Sequence, residues 1–346
     1  MAVHRREFLT LLGAAALAGC SSTSSDAVDT KADGASASDT AGSDATASDA
    51  TSSDASSDGA SDAKAVDPSR FRVLNYNVMC SFCKNEDHSD WVHDWKARVP
   101  WLTDVVQRYD PDLIGLQELS AIGLEAGTPD EASQILGADT WGVYYYRTKP
   151  GDAFEFDYPD AILAWRKSRF DLLEKGEFWL SPTPDTAFSI GFAKGMQFPR
   201  LVVWARLKDK ASGREFAFAN THFDNNTPSQ DLSAPLSLER LAPLAAKGPV
   251  VFCGDFNSTP SSTAFAKLIS GAPKLLDTYA QAPKKTQESN ATPTPEWKEP
   301  ERIDHVYVTA PLQAEKWSID LWRYGAKSQA PSDHPGAVVV DLVWPV

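Results

Sequence analysis

The chain has 346 residues, with 33 Lys and Arg against 47 Asp and Glu, which gives a formal net charge of -14. Residues 1–67 hold four of the basic and eleven of the acidic residues, so the rest of the chain carries a charge of only about -7. This balance excludes an overall basic surface that binds nucleic acid tightly and non-specifically, but it leaves a locally basic groove open.

The amino terminus predicts an export signal. Arg5 and Arg6 precede an apolar run that ends in Leu17-Ala-Gly-Cys20, and the run is too short to span a bilayer. This segment resembles a twin-arginine signal that ends in a lipobox, which implies cleavage before Cys20 and lipidation of its thiol. Residues 1–20 are then a signal peptide, and the protein is exported to the bacterial cell envelope, periplasmic or on the surface. The alternative is a cytosolic chain that begins this way by chance.

The next segment is compositionally simple. Residues 21–67 consist almost wholly of Ser, Ala, Asp, Thr and Gly and contain no aromatic residue. Such a segment cannot bury enough apolar surface to offset the entropy of ordering, so it is expected to be a disordered tether. All eleven Trp residues lie in residues 68–346, which we interpret as one domain with a large core and, in the simplest case, as a monomer.

Short apolar runs alternate with helical patterns through this domain. Leading examples are the strand at residues 71–78 and the helix in which Trp95, Val99, Leu102 and Val106 recur every three or four residues. Further strands are predicted at 113–116, 143–147, 161–165, 172–180, 201–207, 216–221, 249–252, 303–309, 317–322 and 337–344, and further helices at 130–136, 238–246 and 263–269. The pattern predicts an α/β fold of stacked, mainly antiparallel sheets flanked by helices.

The cysteines do not describe a disulfide framework. With Cys20 set aside, Cys80, Cys83 and Cys253 remain, which is an odd number. The CxxC spacing of Cys80 and Cys83 is compatible with a local disulfide or with free thiols, and a redox or metal role is the alternative. Cys253 lies in an apolar run and is predicted to be a small buried residue of the core.

Polar residues recur at the ends of the predicted apolar strands. Six separate segments deliver a carboxylate, amide or imidazole in this way, which predicts one site gathered at a sheet edge. Oxygen donors with a few imidazoles suit a hard divalent cation, Mg²⁺ or alternatively Mn²⁺ or Ca²⁺. The residues are Asn77, Gln117, Glu118, His222, Asp224, Asp255, Asn257, Asp304, Asp333 and His334.

These segments resemble the ordered motifs of the endonuclease/exonuclease/phosphatase family. The motifs are LNYNV (74–78), LQE (116–118), THFD (221–224), GDFN (254–257), RIDH (302–305) and SDHP (332–335). One motif alone would be weak, but six in the family's order are specific, and the likeness runs from about Phe71 to the carboxyl terminus. The resemblance implies a four-layered α/β sandwich and a divalent-metal-dependent phosphoesterase.

The resemblance also implies a role for each site residue. Glu118 is then the principal metal ligand, with Asn77 and Asp333 as further ligands. Asp255 orients or deprotonates the attacking water. The other implied roles are a phosphate contact from Asn257, an Asp304–His334 pair acting as base, hydrogen-bond or proton donation by His222, and a phosphate contact from Arg200. The alternatives are turn residues for Glu118, Asp255 and Asn257, a core histidine for His222 and a surface salt bridge for Arg200. His305 is predicted to point away from the site and to be structural.

One departure from the family pattern affects His222. Where many members carry a glutamate that orients this histidine, the chain has Pro159, flanked by Asp157 and Asp160. The carboxylate that supports His222 therefore stays open between the two.

The function predicted from the sequence is an exported, membrane-tethered hydrolase of phosphate esters. Its substrate is a nucleic acid, a phospholipid or a small phosphodiester, and it is bound to the membrane through the lipid on Cys20. A catalytically silent surface lipoprotein on the same scaffold is the alternative. That alternative predicts the loss of some site residues, and none is lost.

Overall fold

The computed structural model describes residues 67–81, 83, 94–120, 130–137, 139–154, 156–193 and 198–345. The predicted signal peptide, the lipidation site Cys20 and the tether up to residue 66 lie outside the described residues. No helix within these described ranges is long and apolar enough to cross a membrane.

The first sheet has seven strands among the described residues. Its order is β10-β12-β13-β1-β2-β4-β3, and it is mixed, because β1 runs parallel to β2 and antiparallel to β13. The strands are β1 (Arg70–Asn77), β2 (Leu113–Gln117), β3 (Trp141–Tyr146), β4 (Tyr158–Arg166), β10 (Lys284–Glu288), β12 (Gln313–Asp320) and β13 (Val338–Val343).

The second sheet has six strands in the same described ranges. Its order is β5-β6-β7-β8-β11-β9, with β7 and β8 parallel and the remaining pairs antiparallel. The strands are β5 (Phe170–Trp179), β6 (Leu201–Asp209), β7 (Glu215–His222), β8 (Val250–Asp255), β9 (Leu276–Asp277) and β11 (Asp304–Val308).

Helices cover the outer faces of both sheets, so the molecule has four layers. The helices are α1 (Trp95–Tyr109), α2 (Glu131–Leu136), α3 (Thr227–Ala245), α4 (Thr263–Ser270) and the short α5 (Thr278–Gln281), and a 3₁₀ turn covers Glu299–Glu301. Apolar residues of α1 and α2 pack on the first sheet, and those of α3 and α4 pack on the second. The inner faces of the two sheets form the largest core. The predicted sandwich of stacked, mainly antiparallel sheets flanked by helices is confirmed: both sheets are mixed, and most of their strand pairs are antiparallel.

Several elements differ from the sequence-based prediction, among them the short β9, α5 and the 3₁₀ turn, which were not predicted. Helix α3 begins at Thr227, eleven residues before the predicted start, because Asn226 precedes it and Pro228 occupies its first turn, where proline is tolerated. Strand β10 was not predicted, since its sequence, Lys-Lys-Thr-Gln-Glu, is polar, and it pairs only with β12 at the edge of the first sheet.

The cysteines take two different environments. Cys80 and Cys83 form a disulfide directly after β1. Cys253 is a free, fully buried thiol in the core between the sheets, as predicted.

Candidate functional site

One edge of the stacked sheets gathers the polar strand ends. The parallel strands β1 and β2 end there, as do the parallel strands β7 and β8, and the antiparallel neighbours β4 and β11 begin there. In register, Asp255 stands opposite His222 on one side and opposite Asp304 on the other. The sequence prediction of a single site at a sheet edge is therefore matched by the topology.

Two carboxylates and an amide form the centre of the site. Asn77 donates hydrogen bonds from Nδ2 to Oε1 of Glu118 at 2.9 Å and to Oδ2 of Asp255 at 3.0 Å. Its Oδ1 accepts from the Met79 backbone N–H at 3.0 Å, so the amide presents its NH₂ group to the carboxylates. The backbone N–H of Cys80, which is also a disulfide residue, donates to Oε2 of Glu118 at 3.3 Å. Asn77 therefore holds the two carboxylates beside each other.

Three side chains could hold a metal ion together. Ligand atoms of Glu118, Asp255 and His334 lie within 4.8 Å of one another. Two carboxylates with one imidazole suit a hard divalent cation that accepts oxygen ligands. The donor set fits the cofactor expected from the sequence, a divalent cation.

Left-handed backbone conformations occur at two of the site residues. Glu118 has φ of 65° directly after β2, and Asn257 has φ of 48° directly after β8. A left-handed conformation is unfavourable for Glu and better tolerated by Asn. Strain of this kind persists where the surrounding structure fixes the residue, which is typical of functional sites.

Asp304 and His334 form a close pair. Nδ1 of His334 lies 2.7 Å from Oδ2 of Asp304, and its Nε2 lies 3.4 Å from Oδ2 of Asp255. Burial opposes protonation of this imidazole, but Asp304 and Asp255 together hold the pKa of His334 well above its ordinary value. The imidazole is thereby oriented by Asp304 on one side and faces the metal-ligand cluster with its other nitrogen.

His222 lies in a second charged cluster. Its Nδ1 is 3.1 Å from Oδ1 of Asp160 and 2.7 Å from Nη1 of Arg200, while its Nε2 is 3.3 Å from Oδ2 of Asp255. Burial and Arg200 lower the pKa of His222, but Asp160 and Asp255 outweigh them and raise it. Burial also opposes ionisation of Asp160, yet Arg200 and His222 bring the pKa of that carboxyl down to about 2.

Asp160 resolves the choice that the sequence left open. It lies at the start of β4 and contacts both His222 and Arg200, whose Nη1 is 3.0 Å from Oδ2 of Asp160. Asp157 instead accepts from Arg147 at 2.6 Å and from the backbone N–H of Thr148 at 3.0 Å. The only sequence signal for Asp160 was its position next to Pro159.

Two other predicted site residues lie at the rim. Asn257 donates from Nδ2 to the Phe223 carbonyl at 2.9 Å, and its backbone N–H donates to Oδ1 of Asp255 at 2.9 Å. Asp333 is exposed and accepts a hydrogen bond from the Ser332 hydroxyl at 3.3 Å. Asp333 is not one of the three residues whose ligand atoms cluster, so its predicted role as a ligand stays a prediction.

His305 lies on the opposite side of β11 from Asp304, as predicted. Its ring packs against Phe256, Phe265 and Tyr307, and Nε2 is 2.8 Å from the Ser258 carbonyl oxygen. Burial and the nearby positive charge of an arginine bring the pKa of His305 down to about 4. It is therefore a neutral core residue at physiological pH.

A buried arginine supports two loops of the site and was missed from the sequence. The Arg98 guanidinium of α1 donates to the carbonyls of Val78, Met79 and Cys80 after β1, and to the carbonyl of Pro331. It thereby ties the loop after Asn77 to the loop that carries Asp333 and His334. The position of Arg98 one turn after Trp95 on the inner helix face was the only signal.

The arrangement can bind an anion and move protons. His222 with Arg200 presents positive charge, whereas Glu118 and Asp255 require a cation between them and any phosphate group. The Asp304–His334 pair holds a proton-transfer group against Asp255. A water molecule facing Asp255 and His334 would meet both an acceptor and an oriented imidazole.

Comparisons with known proteins agree with this architecture. The family model "Endonuclease/Exonuclease/phosphatase family" matches residues 74–334. A solved structure described as an endonuclease/exonuclease/phosphatase family protein from Bacteroides thetaiotaomicron is 26% identical, with a TM-score of 0.63 over 81% of this chain and 100% of that chain. A mannosyl-6-phosphatase from the same organism is 25% identical, with a TM-score of 0.60 over 79% of this chain and 99% of that one.

A more distant similarity concerns a nuclease. The CCR4-Not complex 3'-5'-exoribonuclease subunit Ccr4 of Emericella nidulans is 24% identical over 268 residues, which cover 60% of this chain. The match spans only 38% of the Ccr4 subunit.

Proposed function

Since the chain belongs to the endonuclease/exonuclease/phosphatase family, whose members are phosphoester hydrolases, we propose that it cleaves phosphate esters by divalent-metal-assisted attack of water. The observation that carries this proposal is the cluster of Glu118, Asp255 and His334, whose ligand atoms lie within 4.8 Å of one another.

Glu118 and Asp255 would hold the cation, which leaves Nε2 of His334 free to accept a proton. When bound, a divalent cation stabilises negative charge on the phosphoryl oxygens and on the leaving oxygen. Asp255 orients the attacking water and His334, supported by Asp304, accepts its proton. His222, held by Asp160 beside Arg200, donates a hydrogen bond or proton to the phosphoryl oxygens.

The test of this function uses generic esters, so that it does not depend on the natural substrate. The full chain is assayed with p-nitrophenyl phosphate and bis(p-nitrophenyl) phosphate, with added Mg²⁺, Mn²⁺ or Ca²⁺ and with a chelator. We expect nitrophenolate release that needs the added cation and falls by at least about 10²-fold in Glu118→Gln. Hydrolysis that persists in the chelator, or near-native hydrolysis in Glu118→Gln, contradicts the metal-assisted mechanism.

The surroundings of the site favour a small ester over a long polyanion. The segments that border Asp304 and His334 carry four acidic residues against two basic ones: Glu296, Glu299, Glu301 and Asp333 against Lys298 and Arg302. Nucleic-acid binding relies on many basic contacts to phosphates, which acidic segments oppose. A panel of DNA, RNA, sphingomyelin and inositol phosphates, assayed with and without Mg²⁺, separates the substrate classes. The mannosyl-6-phosphatase similarity supports the inclusion of sugar phosphates in this panel.

We also propose that the protein acts at a membrane of the cell envelope. The support is the amino-terminal sequence, with Arg5-Arg6, the apolar run and Cys20 at the end of a lipobox-like motif. Cys20→Ser is expected to move the protein from the membrane fraction to the soluble fraction with unchanged specific activity. Unchanged fractionation would remove the lipid anchor from the proposal and leave the hydrolase standing.

A further inference from the structure

A cavity of about 320 Å³ lies beside the Asp304–His334 pair. Small-molecule pockets run from about 300 to 1,000 Å³, so this one has room for a single substituted ring rather than for a chain or polymer. The lining residues are Glu296, Trp297, Lys298, Glu301, Arg302, Ile303, Asp304, Trp317, Ile319, Pro335 and Val338.

One wall of the cavity is aromatic and firmly packed. The rings of Trp297 and Trp317 lie 5.3 Å apart at an angle of 32°, and Tyr279 packs edge-on against Trp317 at 4.9 Å. Trp317 is fully buried, whereas Trp297 is half-buried and keeps part of its surface open. Packing therefore holds an indole ring in place while leaving it accessible to a ligand.

The rim of the cavity carries charged groups. Nζ of Lys298 is 3.3 Å from a carboxylate oxygen of Glu296 and 3.5 Å from one of Glu301. Beneath them Arg302 is buried, pairs with Asp277 and donates to Oε1 of Glu299 at 2.7 Å, which anchors the segment that carries Trp297. Ionised carboxylates only accept hydrogen bonds, so the rim suits a ligand that is rich in hydroxyl donors.

The cavity adjoins the Asp304–His334 pair through Asp304. Asp304 lines it and contacts His334 through Oδ2, while its buried Oδ1 accepts no hydrogen bond from any described residue. Asp304 is 6% exposed. Pro335, which directly follows His334, also lines the cavity. A group seated in the cavity would therefore lie beside Asp304, whose partner His334 belongs to the metal-ligand cluster.

We propose that this cavity is a sugar subsite, which receives the ring of a sugar phosphate while the phosphate faces Asp255 and His334. This inference rests on the proposed phosphoesterase function and names its substrate class. The apolar face of a sugar ring packs on Trp297, and its hydroxyls donate to the carboxylates of Glu296 and Glu301. A polynucleotide is disfavoured because its further phosphates would meet the same carboxylates. A phospholipid is disfavoured because its acyl chains exceed the cavity.

The experiment compares esters that share the phosphate and differ in the organic group. Values of kcat/KM are measured on the full chain with Mg²⁺ for glucose 6-phosphate, mannose 6-phosphate, adenosine 5'-monophosphate and glycerol 1-phosphate. We expect at least one hexose phosphate to exceed glycerol 1-phosphate by about tenfold or more, which is the discrimination that contact with one apolar surface supplies.

Trp297→Ala should remove most of this preference and Trp297→Phe should retain part of it. The matched control is Trp204→Ala, because Trp204 is also half-buried but packs on Gly176 of β5, in the other sheet. It should leave the ratio of hexose phosphate to glycerol phosphate unchanged. Glu301→Gln keeps the aromatic wall and should lower the ratio by weakening one hydroxyl contact, which gives a second readout if Trp297→Ala does not fold.

The outcomes separate the subsite from the function on which it rests. Equal kcat/KM for the hexose and glycerol phosphates, or a Trp297→Ala loss that is the same for both, overturns the sugar subsite while the phosphoesterase stands. A preference for adenosine 5'-monophosphate assigns the cavity to a nucleobase and also overturns it. If neither nitrophenyl ester nor any of these substrates is hydrolysed with added metal, the proposed function fails and the subsite with it.

Discussion

Replacement of Asp160 by Asn tests whether this carboxylate controls the protonation of His222. The substitution keeps the shape of the side chain and removes its charge. Oδ1 of Asp160 is 3.1 Å from Nδ1 of His222, and the Arg200 guanidinium, now without its partner, stays 2.7 Å from the same nitrogen. Both changes make an imidazolium less favourable.

The magnitude follows from this geometry. Two unit charges 3.1 Å apart interact with about 5 kcal/mol at an effective dielectric constant of about 20. Hydration and rearrangement reduce such values, and opposite charges within this range shift a pKa by about 1–3 units. Since Asp160 raises the pKa of His222, its loss lowers that pKa, and the protonated imidazole is then lost at lower pH.

The assay is the pH dependence of kcat/KM with saturating metal. If protonated His222 assists at the phosphoryl oxygens, the alkaline fall in activity should begin about 1–3 pH units earlier in Asp160→Asn, with a drop of about 10²-fold at neutral pH. Asp157→Asn is the matched control, because Asp157 lies three residues away and pairs with Arg147 rather than with His222. An unchanged pH profile in Asp160→Asn, or an equal shift in Asp157→Asn, would refute the assignment.

Three further predictions follow from the same geometry. Glu118→Gln should lower metal-dependent turnover by at least about 10²-fold and weaken Mg²⁺ binding measured by calorimetry. The thermal midpoint without metal should change little, and near-native turnover would contradict the ligand role. Asp304→Asn and His334→Ala should each lower kcat by about 10²- to 10⁴-fold. Because the two residues act together, kcat of the double variant should be scarcely lower than that of the poorer single variant. If the two reductions in kcat multiply in the double variant, a joint role is rejected. Burial raises the pKa of Glu131 from 4.5 to about 7, so its stabilising contribution is complete below pH 4.5 and is lost as the pH rises through 7. Urea unfolding should show a decline of up to about 3 kcal/mol over this range that Glu131→Gln removes, and an equal decline in the variant would exclude Glu131 as the cause.

The layered fold could be predicted because local hydrophobic patterns carry most of its information. Strands such as Leu113–Gln117 and Val250–Asp255 are buried on both faces and read as continuous apolar runs. The first half of α3 could not be predicted from its own sequence, because Pro235 disrupts the helical pattern. Burial of Ala234 and Leu238 against the second sheet stabilises that helix, and such tertiary contacts outweigh local propensity.

The location of the site could be predicted for a related reason. Glu118 directly follows β2, and Asp255 is the last residue of β8. Both strands are apolar up to these ends, so the polar residues mark where the strands reach the edge of the sheet. Which side chains pair with each other within the site could not be predicted in this way. Asp157 and Asp160 are equivalent by composition and spacing, and only the start of β4 at Tyr158 decides which of them faces His222.

Arg98 shows why the loops that support the site could not be predicted from local sequence patterns. Its guanidinium joins carbonyls that lie 18 and 233 residues away in the chain, at Cys80 and Pro331. A helical pattern indicates only that residue 98 faces inward, where an arginine is normally unfavourable unless its donors are satisfied. Four backbone carbonyls accept from its two Nη groups here, and these carbonyls lie together only once the loops after β1 and before β13 have come together. The positions of Asn77 and His334 therefore depend on a contact that no segment of the sequence specifies alone, although each segment contributes one side of it.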